Sequence, residues 1–541
     1  MQKRWVVHPK ISDDLKEQLL NNRAVEKSDI FLKPQLNFLT PANRLFPEIE
    51  KAVDRIKKAI KTQELIYVYG DYDVDGITGS AVLWETINFL GGRVMPYIPS
   101  RHSEGYGLHS EALEQLAKED AKVVVSVDCG ITAGEQAKIA KKLGIDLIIT
   151  DHHQVQDELP KPFALVHTTT LSGSGVAMRL AERLLASFNK EKEEQFFRNL
   201  ELATLGTVAD MVPLTGDNRI IVANGLRLLS KTARIGLQAL YSSAGLGRSV
   251  GTYEIGFIIS PRLNSAGRME NALDSLRLLL TRDNNRAVNL AANLDQTNRV
   301  RQQKTQEVFE HAKKKVADDF SDKKFLVVAS ENYPEGVVGL VASRLVENFY
   351  RPTAVIGKGD KVFKGSARSI SGFNITAALH RQEQLLVSHG GHPMAAGFSV
   401  SKENIPKLRK NLESFAEGEI TSEDLVPVLR IDAELCLEKI GTQLIELLGQ
   451  LEPFGVGNPE PIFLTTNLEV VEKKTLGKEN EHLRLLLKDK NGKTLSGIGF
   501  GLGGLSVAVG AKVEVAYNLR ENTWNGRKNI EARIKDLHKL N

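Results

Sequence analysis

KVVVSVDCGITAGEQAKIAKKLGIDLIITDHH, residues 122–153, is the stretch that decides the fold. KVVVSV (122–127) is a β-branched run of strand length. TAGEQAKIAKKLG (132–144) is helix-like and stops at a glycine, and IDLIIT (145–150) is a second apolar run. Unbroken apolar strands joined through a helix read as a parallel sheet covered on both faces. Upstream the pattern repeats, with the strand-like ELIYVY (64–69) running into the helix-like ITGSAVLWETINFLGG (77–92). The expected fold class is α/β, a doubly wound parallel sheet. Ligands of such sheets sit at the carboxyl ends of the strands.

Acidic clusters stand at those ends: Asp71, Asp73 and Asp75 in YGDYDVDG, Asp128 in VVVSVDCG, and Asp151-His152-His153 in LIITDHH. A fourth, Asp210 in TVADMVP, also closes an apolar run. Oxygen-rich sets with imidazole nitrogen suit Mn²⁺ or Mg²⁺, and two such ions can activate water and stabilise a leaving oxygen in phosphoester cleavage. Asp71, Asp73 and Asp75 alternate, so an extended backbone projects them to one side. Gly76 then permits a sharp turn into a helix whose N-terminus favours negative charge. Taken alone, D-x-D-x-D-G is as readily an acidic turn capping a helix as a cation site, and it also resembles a calcium loop. The EF-hand form is disfavoured, because no Glu stands at loop position 12 and a strand precedes it. Alone, His152-His153 would be surface polar residues, and Asp128 or Asp210 a helix cap. Their joint occurrence favours a metal site.

Bulk properties narrow the setting. A chain of 541 residues suggests about three or four domains. The formal net charge is only +4, so any nucleic-acid contact must come from local patches. Two cysteines, Cys129 and Cys436, are too few for a disulfide framework and point to a reducing compartment. MQKRWVVHPKISDDL lacks a secretory apolar stretch, and no run long enough to span a membrane follows, so a cytoplasmic location is expected. Residues 1–50 read as an irregular lead-in and 51–281 as the α/β domain with the acidic clusters. The polar segment 282–320 reads as a long bridging helix. Residues 321–418 form a second α/β unit with strands 324–330 and 352–357 and a helix at 339–349. After the acidic stretch AEGEITSEDLVP (416–427), residues 425–541 alternate in short runs with an Asn-Gly turn signal, as a small antiparallel β-barrel would.

TDHH, with YGDYDVDG, VDCG and VADMVP, resembles the DHH phosphoesterase superfamily, most closely its single-strand-specific exonucleases. RHSEGYGL (101–108), SPRLNSAGRM (260–269), GVVGLVASRL (336–345), KGSARS (364–369), GGHPMAAGF (390–398) and LEPFGVGNPEP (451–461) extend the match over roughly residues 60–540. The resemblance implies two Mn²⁺ or Mg²⁺ ions held by Asp73, Asp75, Asp128, His152 and Asp210, with Asp71 supporting or joining them and Asp128 as the bridging carboxylate. It places His153 beside the metals and the scissile phosphate. Gly390, Gly391 and His392 match a glycine-rich phosphate loop in a DHH-associated second domain, with His392 donating to the phosphate under attack. Arg101, Arg268, Ser366 and Arg368, with Gln302 as a weaker candidate, match residues that read the 5′ end of a strand. Guanidinium suits phosphate bidentately, although each arginine also reads as a surface ion pair. The C-terminal barrel resembles an OB fold, for which Phe454, Tyr517 and Trp524 are stacking candidates or core residues.

The implied function is 5′-to-3′ hydrolysis of single-stranded DNA to mononucleotides in repair and recombination. A monomer is expected, working beside a single-strand-binding protein and a helicase. A phosphodiesterase of short oligoribonucleotides or cyclic dinucleotides shares DHH and GGH, but the barrel and SPRLNSAGRM suit a long polymer. A non-catalytic DNA-binding relative is disfavoured by the intact ligand set. The chain also departs from the family. LSGSGVAMRL follows FALVHTTT after a shortened loop in which no metal ligand is expected, and Tyr333-Pro334 stands where relatives place Trp-His or Trp-Asn, so a contact is expected to be missing. An extra C-terminal domain of longer relatives is expected to be absent.

Overall fold

The computed structural model describes residues 3–101, 104–155, 158–188, 192–247, 249–269, 271–320, 322–359, 362–524 and 527–540, without the side chains of 523, 524, 527 and 528. The chain forms two compact units. One comprises Trp5–Gly267, Ala272–Ala292 and Arg430–Asn541, and the other Met1–Arg4, Arg268–Asn271 and Asn293–Leu429.

After a short N-terminal strand, β1 (Arg4–Val7), and several short helices, the first unit builds its sheet from β2 (Leu65–Gly70), β3 (Arg93–Tyr97), β4 (Ala121–Val127), β5 (Asp146–Asp151) and β6 (Ala164–His167). All pairings are parallel, in the order β3-β2-β4-β5-β6. The period of two along each strand explains why both faces are covered. Tyr67, Tyr69, Val124, Leu147 and Ile149 pack with Leu113, Leu116, Ala137 and Ala140 of helices Ser110–Lys118 and Gly134–Lys142. The alternate residues Ile66, Val68, Val123, Val125 and Ile148 are fully buried, on the side where helices Ile49–Thr62, Val74–Phe89 and Gly173–Ala186 pack. Each such aliphatic side chain contributes about 1.5–3 kcal/mol of transfer free energy. The sheet is thus a rigid support, and its carboxyl edge carries the acidic clusters.

The helix Asn284–Asp319, 36 residues long, carries the chain into the second unit. There β7 (Leu326–Pro334), β8 (Thr353–Lys358), β9 (Phe363–Arg368), β10 (Leu386–His392) and β11 (Ala395–Val400) pair in the order β10-β11-β9-β8-β7. Only β7 and β8 run parallel. Helix Glu335–Phe349 covers this sheet. Tyr333 is buried and its hydroxyl lies 2.7 Å from His311 Nδ1, so the position expected to lose a contact ties the long helix to β7.

The remaining strands are β12 (Val428–Ile431), β13 (Ala433–Glu434), β14 (Phe463–Leu476), β15 (His482–Lys488), β16 (Thr494–Gly499), β17 (Lys512–Trp524) and β18 (Arg527–Lys539). β14 pairs with both β15 and β17, β15 with β16, β16 with β18, and β18 with β17. Five strands therefore close on themselves, leaving no free edge within the ring. The β16–β18 pairing is parallel, so the barrel is not wholly antiparallel as expected. Tyr517 is fully buried among Phe463, Leu485 and Val515, with its hydroxyl 2.7 Å from Thr465 Oγ1. It packs the barrel and offers no face to a base. Phe454 is partly buried against the same core, and the Trp524 side chain lies outside the described residues.

The barrel packs with the parallel-sheet domain in one unit, which the acidic linker did not suggest. LEPFGVGNPEP forms the seam. The buried Arg219 guanidinium donates to the carbonyls of Phe31, Gln450, Glu452 and Pro453, and Leu214 N donates to Val456 O at 2.7 Å. The lead-in is also fastened here, with His8 N donating to Ile431 O and Trp5 Nε1 to Asp536, both at 2.9 Å.

Candidate metal centre

The first three clusters sit where their strands end. Asp71 follows β2 directly, and Asp73 caps helix Val74–Phe89, its Oδ1 accepting from the amides of Asp75 (2.9 Å) and Gly76 (3.1 Å). Asp128 follows β4 with φ +62°, in the left-handed region. Asp151 ends β5 and points back into the fold. One of its carboxylate oxygens accepts from Ile131 N, the other from the amides of His152 and His153, and it lies 2.8 Å from His153 Nδ1. Asp151 therefore orients the two histidines, and its most direct hold is on the His153 ring. Asp210 arrives from elsewhere, at the C-terminus of helix Glu193–Ala209.

These side chains converge. Donor atoms of Asp71, Asp73 and Asp128 lie within 4.8 Å of one another, as do those of Asp75, His152 and Asp210, and those of Asp128, His152 and His153. His152 Nε2 is 3.1 Å from Asp128 Oδ1, 3.5 Å from Asp210 Oδ2 and 3.9 Å from Asp75 Oδ2. Asp128 belongs to two of the groups. Asp71, Asp75 and Asp128 are at most 4% exposed.

Crowding sets the protonation. Burial, then the neighbouring carboxylates, pushes Asp71, Asp73 and Asp128 above the ordinary carboxylate range. Asp210 is raised to about 9 by burial and by Asp75 and Asp73. Burial lowers His152, which favours the neutral imidazole a cation needs. Burial opposes charge on Asp151 and His153 too, but their mutual bond prevails, lowering Asp151 and raising His153.

The donor set fits divalent cations on an independent observation. Asp71 Oδ1, Asp128 Oδ1 and His152 Nε2 are buried without a hydrogen-bond partner among the described residues. Burying such atoms unsatisfied costs several kcal/mol. The approach of His152 to Asp128 lacks hydrogen-bond alignment, so a cation answers the deficit better than a proton does.

Several contributors lie outside the expected ligand and phosphate-reading set; of these only Asn264 stands out in the sequence, as either a helper or a turn former. The amides of Gly173 and Ser174, at the start of helix Gly173–Ala186, donate to the two Asp75 oxygens at 2.6 and 2.9 Å. A Cβ on Gly173 would lie 2.6 Å from Asp128 Oδ1, so only glycine lets that helix approach. No side chain of this segment joins the donor groups, as expected, but its backbone holds the candidate ligand Asp75, and the N-cap Ser172 in LSGSG was the available clue. The Tyr106 hydroxyl donates to Asp128 O at 3.1 Å and lies 3.1 Å from His153 Nδ1. Asn264 Oδ1 accepts from Val74 N at 3.1 Å, which anchors SPRLNSAGRM to the acidic turn.

Of the phosphate-reading candidates, Arg101 lies over the Tyr72 ring at 5.3 Å, and its charge acts on Asp71. The others belong to the second unit. Ser366 and Arg368 share β9, where Arg368 Nη1 donates to Ser366 Oγ at 2.9 Å. Gly390, Gly391 and His392 end β10, with Gly391 at φ +142° opposite Ala396. Ser366 faces Gly397 on the adjoining strand β11, so one sheet carries both sets. Gln302 is exposed on the long helix, and Arg268 lies in the short Arg268–Asn271 piece of the same unit.

This arrangement defines the class: residues 65–209 match the DHH family, N-terminal domain, residues 322–418 the DHHA1 domain, and residues 431–536 the RecJ OB domain. The chain belongs to the RecJ family. It is 38% identical over 502 residues to the single-stranded-DNA-specific exonuclease RecJ of Bacillus subtilis, covering 90% of this chain and 63% of that relative's length. It is 34% identical to RecJ of Thermus thermophilus over 93% of this chain and 73% of that one. The crystal structure of Thermus thermophilus RecJ with Mn²⁺ superposes with a TM-score of 0.86 at 29% identity, covering 99% of this chain and 80% of that one. Among the described residues no helix is long and apolar enough to cross a membrane.

Proposed function

We propose that the chain is a two-cation exonuclease that degrades single-stranded DNA from the 5′ end to mononucleotides. The observation that carries this reading is the shared Asp128, which lies in two adjoining ligand groups with buried, unpartnered donor atoms. Asp71, Asp73, Asp75, Asp128, His152 and Asp210 would hold two Mn²⁺ or Mg²⁺ ions. Bound there, such ions supply activation of water and stabilisation of charge on the attacked phosphate and its leaving oxygen.

The chain's own residues do the rest. Gly173 and Ser174 amides fix Asp75, and Asp151 fixes His153 beside the reacting phosphate. Gly390 and Gly391 let backbone approach a phosphate closely, where His392 donates to it. Arg101, Arg268, Ser366 and Arg368, with Gln302, would select the 5′ end. Residues 51–281 are the catalytic domain, 321–418 the DHH-associated domain reached through 282–320, and 425–541 the strand-binding barrel. Two cysteines, one of them buried beside the carboxylates, suit a reducing cytoplasm. We place the enzyme there as a monomer beside a single-strand-binding protein and a helicase.

The test is a digest with Mn²⁺ of single strands labelled at either end, duplex, short RNA and cyclic dinucleotides. Immediate release of 5′ label supports the proposal. Cleavage restricted to short RNA or cyclic dinucleotides assigns the site to small phosphodiesters instead. A folded, cation-loaded sample without cleavage makes the chain a binding protein.

A further inference from the structure

A second set of metal-ligating side chains lies in the other unit, outside the acidic centre. His380 ends helix Ile375–His380, Glu383 follows three residues later, and His389 lies on β10. Their donor atoms fall within 4.8 Å of one another. His380 Nδ1 is 3.4 Å from Glu383 Oε2, and the His380 and His389 rings are 5.6 Å apart, tilted by 58°. Ligands around a tetrahedral ion with bonds near 2.0–2.1 Å are about 3.3 Å apart, so small rotamer changes complete the set. An exposed His–Glu pair alone would be worth little. What distinguishes this pair is a second imidazole from a separate strand, used by none of the hydrogen bonds among the described residues.

We propose that His380, Glu383 and His389 form a binding site for a divalent transition metal, with Zn²⁺ the best fit. Two imidazoles and one carboxylate are a familiar zinc set that leaves one position open. The helix already grips the glycine loop from its other end. Thr376 Oγ1 donates to His392 O at 2.7 Å and Ile375 N to Pro393 O at 2.9 Å. A metal joining His380 to His389 would pin the opposite end, so that helix Ile375–His380 spans Gly390–His392 from both sides. Occupancy is therefore expected to restrain the strand that presents the proposed phosphate loop.

The test uses the whole 541-residue chain, stripped with chelator and dialysed against Zn²⁺. The acidic centre takes up zinc as well, so the reading is a difference. Wild type should retain one equivalent more than H380A or E383Q, whose replaced side chains are 68% and 62% exposed, so that the variants' circular dichroism should match wild type. Amide exchange over residues 386–392 should slow more than about tenfold with Zn²⁺ in wild type and be unaffected in H380A. Equal zinc content in the three proteins would overturn the site. An extra equivalent without slowed exchange would overturn the pin. In zinc-free buffer with Mn²⁺, H380A should cleave as wild type does.

Discussion

Asp128→Asn separates the charge of the acidic centre from its shape. Asp128 adopts φ +62°, a conformation that asparagine tolerates at least as well, so the backbone is not strained by the change. Its donor atom lies within 4.8 Å of those of Asp71 and Asp73. At an effective dielectric constant near 20, two unit charges at that distance repel by about 3.5 kcal/mol. Partial protonation of the raised carboxyls reduces this, leaving a relief of about 1–3 kcal/mol when the Asp128 charge is removed. In EDTA at neutral pH, Asp128→Asn should therefore melt above wild type, by about 1 °C per kcal/mol for a unit of this size. Mn²⁺ reverses the order. If Asp128 is shared as proposed, wild type should gain about 2.7 kcal/mol per ion at a cation concentration a hundred times the dissociation constant, and the variant should lose most of this gain. Thermal melts with EDTA and across a Mn²⁺ titration read both effects, and hydrolysis should fall below detection. A variant that melts below wild type in EDTA, or gains equally from Mn²⁺, would refute the reasoning.

Gly173→Ala places a methyl group 2.6 Å from Asp128 Oδ1, so calorimetry should show weaker Mn²⁺ binding by more than about tenfold, with helical content unchanged. Tyr106→Phe removes the donor to Asp128 O, a change worth about 1 kcal/mol; kcat should fall about fivefold and the Mn²⁺-free melt should barely move. Glu85→Gln tests the fold away from the centre. Burial raises the Glu85 carboxyl, but Arg234 and Arg198 prevail and hold it below the ordinary range. Its stabilisation is thus present above the unfolded value of 4.5 and is lost as pH falls through the lower folded value. Urea unfolding should show the variant about 3–5 kcal/mol less stable at pH 7, and the gap should narrow only below pH 4.5.

Legibility of the sequence followed the chemistry of the side chains. Long apolar runs such as KVVVSV and LIIT mark buried strands, and the acidic residues after them lie at the sheet edge because parallel topology puts them there. Contacts made by the backbone are invisible to motif reading. The amides of Gly173 and Ser174 hold Asp75 through backbone atoms, and their approach past Asp128 depends on the missing Cβ of Gly173. Tyr106 lay within a quoted motif, but nothing in RHSEGYGL says that its hydroxyl turns toward Asp128. In the barrel, alternation shows that every second residue shares a face without showing which face is inward. Tyr517 therefore read as either a stacking or a core residue, and it is the latter. The seam around Arg219 was illegible for a related reason, since its partners are carbonyls of residues more than 180 positions away.

The central claim is most directly tested by anomalous diffraction at the manganese edge from crystals of the chain grown with Mn²⁺. Two peaks are expected between the acidic side chains, both within bonding distance of Asp128, with His152 on one of them. A single peak away from Asp128, or a set of carboxylates that binds no manganese, would contradict it.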